Sequence, residues 1–296
     1  KKKFYDVLID SRYVDGVMML GEHVIKGENN KSIMLLAHID HPGQVNDGLA
    51  GAAVLLELAE RLKGTKPAFT LRFHFLAERI GSIAYLEEQY KRKKQIVGGL
   101  FCEMPGTRKL PIVLQYSRKK NTRLDRIAVY VVKKTQKKAI FAEYFKHVVN
   151  DDGFYNSPGI DIPCISLSRS KALAPANRSH YPYYHTSGDN LSRFDFKQAR
   201  EYVNTVYEIL EILNKDRIIT RMYVGIPHLS RHGLWIDYRL YPESSMAIYD
   251  LLAHMDDGIT IFDLSERCGL DFEESYSFIK KMEGAGLVRL EIPSEI

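Results

Sequence analysis

Short apolar segments alternate with helix-like segments along the first third of the chain. Residues 32–37 (SIMLLA) form the continuous apolar run of a buried strand, and residues 49–62 repeat apolar side chains at helical spacing. Residues 69–76 are again strand-like, residues 82–90 helical and residues 96–101 strand-like. Such alternation is typical of α/β proteins, in which helices connect the strands. It predicts a mixed, mostly parallel sheet with helices on both faces.

Further elements are predicted on both sides of this region. The N-terminal part alternates polar and apolar residues, so we expect two strands joined by a turn. An opening that leads almost directly into a strand pattern indicates that sheet elements precede it. The additional elements are strands at 4–9, 17–26 and 164–167, a turn at Asp15-Gly16, and helices at 136–149 and 200–214.

The C-terminal part of the chain changes in character. Residues 245–254, 261–268 and 272–283 have the pattern of three short helices, and residues 287–292 alternate like a strand. Three short helices followed by a β-ribbon are the outline of a winged helix, a relative of the helix-turn-helix. The predicted division is therefore an α/β domain at 1–225, a linker at 226–244 and a winged-helix domain at 245–296.

The charge of this C-terminal part argues against a nucleic-acid partner. Its third predicted helix carries Glu273, Glu274 and Glu283 against only Lys280 and Lys281. A helix that reads DNA attracts phosphates through basic side chains. The whole chain is only mildly basic, with a formal net charge of +5. We expect these helices to pack on the first domain or to contact a protein.

Composition excludes several other classes of protein. Hydrophobic residues make up 45% of the 296 residues and charged residues 27%, which is ordinary for a globular protein. No apolar run reaches the roughly 18–20 residues of a membrane span, and no apolar stretch follows the lysine-rich start as it would in a signal peptide. The three cysteines are scattered, so a reducing compartment, the cytoplasm, is expected. A homo-oligomer is compatible with this composition.

Histidines and carboxylates follow several predicted strands at the point where each strand ends. They are His38, Asp40, His41 and Asp47 after the first buried strand, Glu78 and Glu103 after the next two, and His185 after the strand at 164–167. Binding sites of open α/β sheets form at the carboxyl ends of strands. Taken singly, such residues are more often exposed or hydrogen-bonded, and Asn46-Asp47-Gly48 is more often a turn that caps a helix. Together they have the composition of a metal site, which suits zinc, or alternatively manganese or cobalt.

The order of these motifs resembles that of the co-catalytic zinc aminopeptidases, a group that also includes glutaminyl cyclases. The motifs are Ala37-His38-Ile39-Asp40, Asn46-Asp47-Gly48-Leu49-Ala50-Gly51, Ala77-Glu78 before Gly81-Ser82, Glu103-Met104-Pro105-Gly106, and His185-Thr186 before Asp189. A closer resemblance, over nearly the whole chain, is to the aminopeptidase-like proteins of bacterial polysaccharide-biosynthesis clusters. Its marks are His41-Pro42, Gly81-Ser82-Ile83-Ala84-Tyr85-Leu86, Ser157-Pro158-Gly159-Ile160-Asp161-Ile162-Pro163, Tyr184-His185-Thr186-Ser187 and a terminal winged helix.

The resemblance implies a set of metal ligands. Asp47 is expected to bridge two metal ions, with Glu103 and His185 as further ligands. The early histidine ligand is His38 by the His-x-Asp form of the larger group, or His41 by the pattern of the closer family. Both histidines therefore stay candidates.

The resemblance also implies the chemistry and the supporting residues. Glu78 matches the general base, which takes a proton from the attacking water once a metal has lowered the pKa of that water. Asp40 is expected to orient the His38 ring, and Asp189 to support the site without binding metal. The implied activity is metal-dependent hydrolysis of an amide bond, most simply an N-terminal peptide bond, in a peptide or an acylated small molecule.

One residue departs from the pattern of the larger group. There the base is usually followed directly by a second, metal-binding glutamate, whereas Arg79 follows Glu78 here. Either Glu78 is a ligand and the base is absent, or Glu78 is the base and one ion lacks a ligand. An adjacent arginine would also repel a second cation. One zinc ion and two are therefore both compatible with the sequence.

Two further functions stay open beside a hydrolase. One is a non-catalytic binding module built on a peptidase fold, which the Arg79 departure favours. The other is a winged-helix regulator whose peptidase-like domain acts as a sensor.

A few residues are candidates for substrate contact. Arg79 lies beside Glu78, and the basic, aromatic segment at 169–184 offers Arg169 or Arg178 to pair with an acidic group. His180 in the same segment is a candidate for a polar contact near the metal. The plainer interpretation of the segment is a solvated loop whose tyrosines pack on the sheet.

Overall fold

A seven-stranded mixed sheet lies at the centre of the described part of the chain. The structure is a computed structural model that describes residues 4–89, 95–172 and 179–296. In chain order the strands are β1 Gly21–Ile25, β2 Ser32–His38, β3 Thr70–Leu76, β4 Ile96–Glu103, β5 Ile112–Gln115, β6 Ala139–Ala142 and β7 Cys164–Arg169. Their order in the sheet is β1-β3-β2-β4-β7-β5-β6. The β1–β3 and β5–β7 pairs are antiparallel and the other pairs parallel, which confirms the predicted mixed, mostly parallel sheet.

Helices cover both faces of this sheet. They are α1 Ala50–Arg61, α2 Ile80–Gln89, α3 Arg123–Thr135, α4 Asp151–Tyr155 and α5 Phe196–Lys215. The buried side chains of α1, α3 and α5 belong to one apolar core, and those of α2 and α4 belong to a second. No helix among the described residues is both long and apolar enough to cross a membrane.

The strand β2 shows why both faces are covered. All of its residues are buried, and successive side chains point to opposite sides of the sheet. Leu35 and Ala37 join the core beneath α1, α3 and α5, whereas Met34 and Leu36 join the core beneath α2 and α4. A strand buried on both faces requires a continuous apolar run, which is why the SIMLLA segment predicts it.

The strand predicted at 4–9 is wrong. Residues 4–20 form no helix, strand or turn, and Phe4 and Leu8 are 92% and 91% exposed. The pattern at 17–26 yields only β1, which pairs with β3. Alternating residues form a strand where a neighbouring strand offers hydrogen bonds and an apolar face. Among the described residues no strand lies beside residues 4–20.

The helix predicted at 136–149 is also wrong, because the helix lies earlier in the chain as α3. Its first turn is fixed by a capping box in which the Thr122 hydroxyl accepts from the Asp125 N–H and the Asp125 carboxylate accepts from the Thr122 N–H. Buried apolar residues then follow at helical spacing: Leu124, Ile127, Ala128, Val131 and Val132. The segment at 136–149 instead contains β6 and a turn.

The three C-terminal helices are present where the sequence predicts them. They are α6 Pro242–His254, α7 Ile261–Cys268 and α8 Phe272–Gly284. The strand after them, β9 Val288–Glu291, pairs antiparallel with β8 Ile218–Arg221, which follows α5 directly. The β8–β9 ribbon therefore pairs a strand that precedes α6 with a strand that follows α8, instead of forming a hairpin after α8. The winged helix stays a prediction.

The C-terminal helices pack on helices of the sheet. Arg126 of α3 pairs with Asp263 and Glu266 of α7, at 2.6 and 2.5 Å. Asp216, directly after α5, accepts a hydrogen bond from the N–H of Phe262 in α7 at 2.9 Å. Buried apolar residues of α6, α7 and α8 also belong to the core that contains α3 and α5. The two predicted domains thus share a core, and the boundary between them stays a prediction.

Candidate metal centre

Three neighbouring parallel strands bring predicted site residues to one edge of the sheet. His38 is the last residue of β2, Glu103 is the last residue of β4, and Glu78 lies two residues after β3. Because β2 lies between β3 and β4, these side chains meet at the carboxyl edge of the sheet. Both His38 and Glu103 are buried.

Asp47 reaches the same place through an irregular turn, Val45–Leu49, between β2 and α1. Gly48 has a φ of +100°, which favours glycine, and a Cβ there would lie 3.3 Å from the backbone oxygen of His38. The side chain of Asp47 does not cap α1, whose N-cap position is Leu49 without a side-chain hydrogen bond. The capping interpretation of this turn is therefore excluded, and the 2% exposed carboxylate faces the histidines.

Asp47 lies at the centre of a cluster of imidazoles. Its Oδ1 is 3.2 Å from His41 Nδ1 and 3.7 Å from His38 Nε2, and its Oδ2 is 2.9 Å from His185 Nε2. Glu103 Oε2 lies 4.0 Å from His38 Nε2. The two oxygens of Asp47 thus face different histidines, as a carboxylate that bridges two positions would require.

The cluster fits a metal ion. Several polar atoms buried in it form no hydrogen bond of normal geometry among the described residues, even where another polar atom lies close by: both ring nitrogens of His38, His41 Nδ1, Asp47 Oδ2 and Glu103 Oε1. Buried polar atoms without partners are costly and rare in folded proteins. One ligand atom from each of His38, His41 and Asp47 lies within 4.8 Å of the others. An ion bound between them would satisfy one ring nitrogen of each histidine and one oxygen of Asp47.

The electrostatics of the cluster favour a bound cation as well. Burial lowers the pKa of His38 to about 4, so its ring is neutral and offers a lone pair. Burial raises the pKa of Asp47, and burial together with Asp47 raises the pKa of Glu103 well above its usual value. Buried carboxylates that resist ionisation are stabilised in the charged form by a cation.

Glu78 and Asp40 lie on the more open side of the cluster. Glu78 is 29% exposed, and its Oε2 is 3.3 Å from His41 Nε2. Asp40 Oδ1 accepts a hydrogen bond from the Glu78 N–H at 2.9 Å and lies 3.5 Å from His38 Nδ1. Asp40 thus contacts both His38 and the backbone that carries Glu78.

Asp189 holds the turn that carries Asp47. Its carboxylate accepts hydrogen bonds from the backbone N–H groups of Asn46 and Asp47, and from the Tyr181 hydroxyl at 2.8 Å. The Asn46 side chain in turn accepts from the N–H of Gly106, in the loop after β4. Asp189 therefore connects the loop of His185 to the turn of Asp47.

Arg79 adopts a left-handed backbone conformation, with a φ of 62°. Its guanidinium lies over the ring of Phe154, 5.6 Å from the ring centroid, and its N–H donates to Asp151 Oδ1. It forms no ion pair with the carboxylates of the cluster among the described residues. Its charge is thus held against Phe154.

Neither of the substrate candidates Arg169 and His180 contacts the metal-site cluster directly. Arg169 is 4% exposed, and its guanidinium contacts the Leu110 carbonyl oxygen and Glu201 of α5, neither of which belongs to the cluster. His180 packs against Tyr184, whose ring stacks on His185 at 3.9 Å between centroids. Arg178 lies outside the described residues.

Sequence reasoning missed two buried carboxylates beneath the cluster. Asp151 Oδ1 accepts from the Ser82 hydroxyl and the Arg79 N–H, and burial still raises its pKa to about 6. Asp152 Oδ2 accepts from Gln115 Nε2, and burial raises its pKa to about 7. The adjacent pair Asp151-Asp152 is the sequence signal that points to these carboxylates. The sequence does not predict α4, because the wrongly predicted helix at 136–149 ends directly before it.

Sequence comparison relates the chain to other proteins. The family described as "Domain of unknown function (DUF4910)" matches residues 3–216. A protein of Clostridium acetobutylicum, described as a polysaccharide biosynthesis protein with an aminopeptidase-like domain, is 28% identical over 277 residues. The match covers 90% of this chain and 61% of that protein. The chain thus spans about three fifths of the length of this relative.

Comparison of structures places the fold. A crystal structure of a Clostridium acetobutylicum protein described as a "putative peptidase" superposes with a TM-score of 0.80 at 24% identity, over 92% of this chain and 60% of that one. A zinc aminopeptidase from Bacillus subtilis has a TM-score of 0.54 at 17% identity, over 64% and 48% of the two chains. A glutaminyl cyclase from Tannerella forsythia has a TM-score of 0.52 at 16% identity, over 64% and 77%. The chain therefore belongs to the family described as a domain of unknown function, DUF4910, and has the α/β fold of the zinc exopeptidases.

Proposed function

We propose that this protein is a metal-dependent hydrolase of amide bonds, most simply an aminopeptidase. One observation carries the proposal: Asp47 is buried with its two oxygens against different histidines, in a cluster whose buried polar atoms lack hydrogen-bond partners. The peptidase-like fold supports the same class of reaction. The relative named for polysaccharide biosynthesis makes an acylated amino sugar a variant of the substrate.

The chain offers five side chains that would hold one or two zinc ions: His38, His41, Asp47, Glu103 and His185. Bound there, zinc would act as a Lewis acid on the substrate carbonyl and raise the acidity of a water molecule. Asp189 would keep Asp47 in place through the hydrogen bonds described above, and Asp40, whose Oδ1 lies 3.5 Å from His38 Nδ1, would orient the His38 ring. Manganese or cobalt would suit the same donor atoms.

The position of Glu78 supports a role in proton transfer. Its carboxylate lies on the open side of the cluster, where substrate and water can enter, next to His41. We assign it the role of general base, which accepts a proton from the attacking water and returns it to the amine nitrogen of the leaving group. Because Arg79 is held against Phe154, its charge does not occupy the position next to Glu78 in the cluster.

Metal content and chelator sensitivity test the proposal. Protein purified without a chelator and freed of its tag is analysed by plasma mass spectrometry, and turnover is measured on a panel of aminoacyl p-nitroanilides and a peptide with N-terminal glutamine. We expect one or two zinc ions per chain and turnover that disappears with a chelator and returns with zinc. In the Asp47→Ala variant both the metal and the turnover should be lost.

The possible outcomes separate the rival functions. Release of ammonia from the glutaminyl peptide with formation of an N-terminal pyroglutamyl ring, and without cleavage of p-nitroanilides, would favour a cyclase over the hydrolase. Absence of bound zinc even after zinc addition would contradict the proposal and favour a non-catalytic binding module. Full metal content in Asp47→Ala would contradict the site itself.

A further inference from the structure

A small pocket lies beside the candidate metal centre and shares residues with it. It has a volume of about 210 Å³, and its floor is formed by Asn46, Asp189 and Tyr181. Asn46 is the chain neighbour of Asp47, and Asp189 accepts a hydrogen bond from the Asp47 N–H, so the pocket adjoins the cluster. Whole small-molecule sites measure roughly 300–1,000 Å³. The pocket therefore suits a single substituent of a ligand whose remainder lies elsewhere.

Two arginines line this pocket, although they come from distant parts of the chain. Arg108 lies in the loop between β4 and β5, and Arg193 lies in a short turn, Leu191–Arg193, before α5. The Arg108 guanidinium donates to the Ser192 carbonyl oxygen at 2.9 Å, which holds the two segments together. The Arg193 guanidinium lies 3.5 Å from the centroid of the Tyr183 ring. A guanidinium stacked by its face keeps its N–H edge available for a planar anion.

Neither arginine forms an ion pair in the described parts of the chain. Asp195 is an acidic side chain that interacts electrostatically with Arg108. Burial would raise the pKa of Asp195, but hydrogen bonds from Gln198 and the charge of Arg108 lower it. Both oxygens of Asp195 already accept from Gln198. The pocket thus contains two guanidinium groups whose charge no carboxylate of the described chain pairs with directly.

The carboxylate in the floor of the pocket does not neutralise these arginines either. Asp189 accepts from the backbone N–H groups of Asn46 and Asp47, from the Asn46 side chain and from the Tyr181 hydroxyl. Its charge is spread over those donors, beneath the pocket. A carboxylate entering from outside would find N–H donors at the rim and bidentate pairing with Arg193 or Arg108.

We propose that this pocket binds a carboxylate of the substrate, so that the protein acts on substrates with an acidic group next to the amide that is cleaved. The substrate preference rests on the proposed function, whereas binding of a carboxylate in the pocket does not depend on that function. The acidic group could belong to an N-terminal glutamyl or aspartyl residue or to a sugar acid. In each case the recognised chemistry is one planar carboxylate.

Calorimetric titration of the chelator-treated protein tests the site without any turnover. The probes are the α-amide of N-acetyl-L-glutamate and its neutral counterpart N-acetyl-L-glutaminamide, and glucuronate against glucose. We expect the acid of at least one pair to bind at least tenfold more tightly than its neutral counterpart, and the pair that does so identifies an amino-acid or a sugar-acid substrate. Arg108→Gln and Arg193→Gln should each remove this difference.

Matched controls separate a lost pocket from a lost fold. Arg239→Gln removes another exposed arginine beside a tyrosine, 5.6 Å from the Tyr238 ring centroid, and should leave the preference for the acid unchanged. Arg193→Lys keeps the charge but not the planar group and should retain part of the preference. The thermal transition of each variant shows that it is folded.

A second, kinetic test measures turnover by the zinc-loaded protein. Glutamyl p-nitroanilide should exceed glutaminyl p-nitroanilide in kcat/KM by at least tenfold, through KM, and the two pocket variants should abolish that ratio. Selective binding of an acid probe that both variants lose, without turnover of any substrate, would uphold the pocket and contradict the hydrolase. Equal or absent binding of both members of each pair, or a preference that survives in both variants, would overturn the pocket whatever the turnover.

Discussion

Asp189 and Asp47 lie 142 residues apart in the sequence, yet the carboxylate of Asp189 accepts a hydrogen bond from the backbone N–H of Asp47 at 3.1 Å. The same carboxylate accepts from the N–H of Asn46 and from the hydroxyl of Tyr181. Asp189 thus determines where the carboxylate of Asp47 lies, without a contact of its own to the histidines among the described residues. The geometry of the centre depends on this buried support.

Asp189→Asn should weaken the centre although none of the proposed ligand residues is replaced. The amide would turn one donor group toward backbone N–H donors, and an unsatisfied buried group costs about 1–3 kcal/mol of stability. We expect zinc affinity to fall by roughly 10–100-fold. Competition with a chromophoric chelator measures the affinity, and Asp256→Asn, at an exposed residue that pairs with Arg267, is the control. Unchanged affinity in Asp189→Asn would refute the supporting role.

His38→Gln and His41→Gln decide which early histidine binds metal. Both rings lie within 4 Å of Asp47 Oδ1, so we expect both to be ligands and each change to lower zinc affinity by on the order of 100-fold or more. His232→Gln, at an exposed position in a turn distant in sequence, should have no effect. If one of the two variants binds zinc like the wild type, that histidine is not a ligand.

Glu78→Gln should separate catalysis from metal binding. Because a glutamine cannot accept the proton, kcat should fall roughly 10²–10⁴-fold while the zinc content stays that of the wild type. Glu57→Gln, at a half-exposed residue paired with Arg61 on α1, serves as the control. Loss of zinc in Glu78→Gln would instead make Glu78 a ligand.

The stability of the metal-free protein should depend on pH through Asp216. Burial raises the pKa of this carboxyl to about 6, although Arg123 and the Phe262 N–H oppose the shift. The folded state then holds a proton that the unfolded state, with a pKa near 3.9, releases. Asp216 therefore lowers the free energy of unfolding as pH rises from about 4 to 6, by about 2–3 kcal/mol in total, and has no further effect above that range.

The isosteric change Asp216→Asn isolates this contribution, because asparagine can still accept the hydrogen bond from the Phe262 N–H. Urea unfolding from pH 4 to pH 7.5 should show the variant gaining stability relative to the wild type as pH rises to 6. Parallel pH curves for the two proteins would mean that Asp216 is ionised in the folded state throughout this range.

The sheet and the edge that carries the site could be predicted because their signals are local. The apolar run of β2 and the helical spacing of α1 each lie within one window, and polar residues at strand ends meet whenever the strands are parallel. The position of Asp47 could be predicted from the short motif Asn46-Asp47-Gly48, because the turn that carries Asp47 requires the positive φ of Gly48.

Other parts of the structure could not be predicted from such patterns. The helix α4 is five residues long, too short for a helical period to show, and its Asp151 and Asp152 are buried although aspartate is usually exposed. Arg108 and Arg193 come together through a hydrogen bond between residues 84 positions apart, Arg108 and Ser192. Contacts of that kind depend on the tertiary structure and leave no local pattern.

The position of β7 has a consequence for the order in which the protein can assemble. β7 lies between β4 and β5 in the sheet, and the loop after it carries both His185 and Asp189. During synthesis from the N-terminal side, the ribosome releases His38, Asp47 and Glu103 long before this loop, and domains generally fold as whole units. Until residue 189 has emerged, Asp47 lacks both its support and its third histidine, so we expect a nascent chain stalled before that point to bind zinc more weakly than the finished chain.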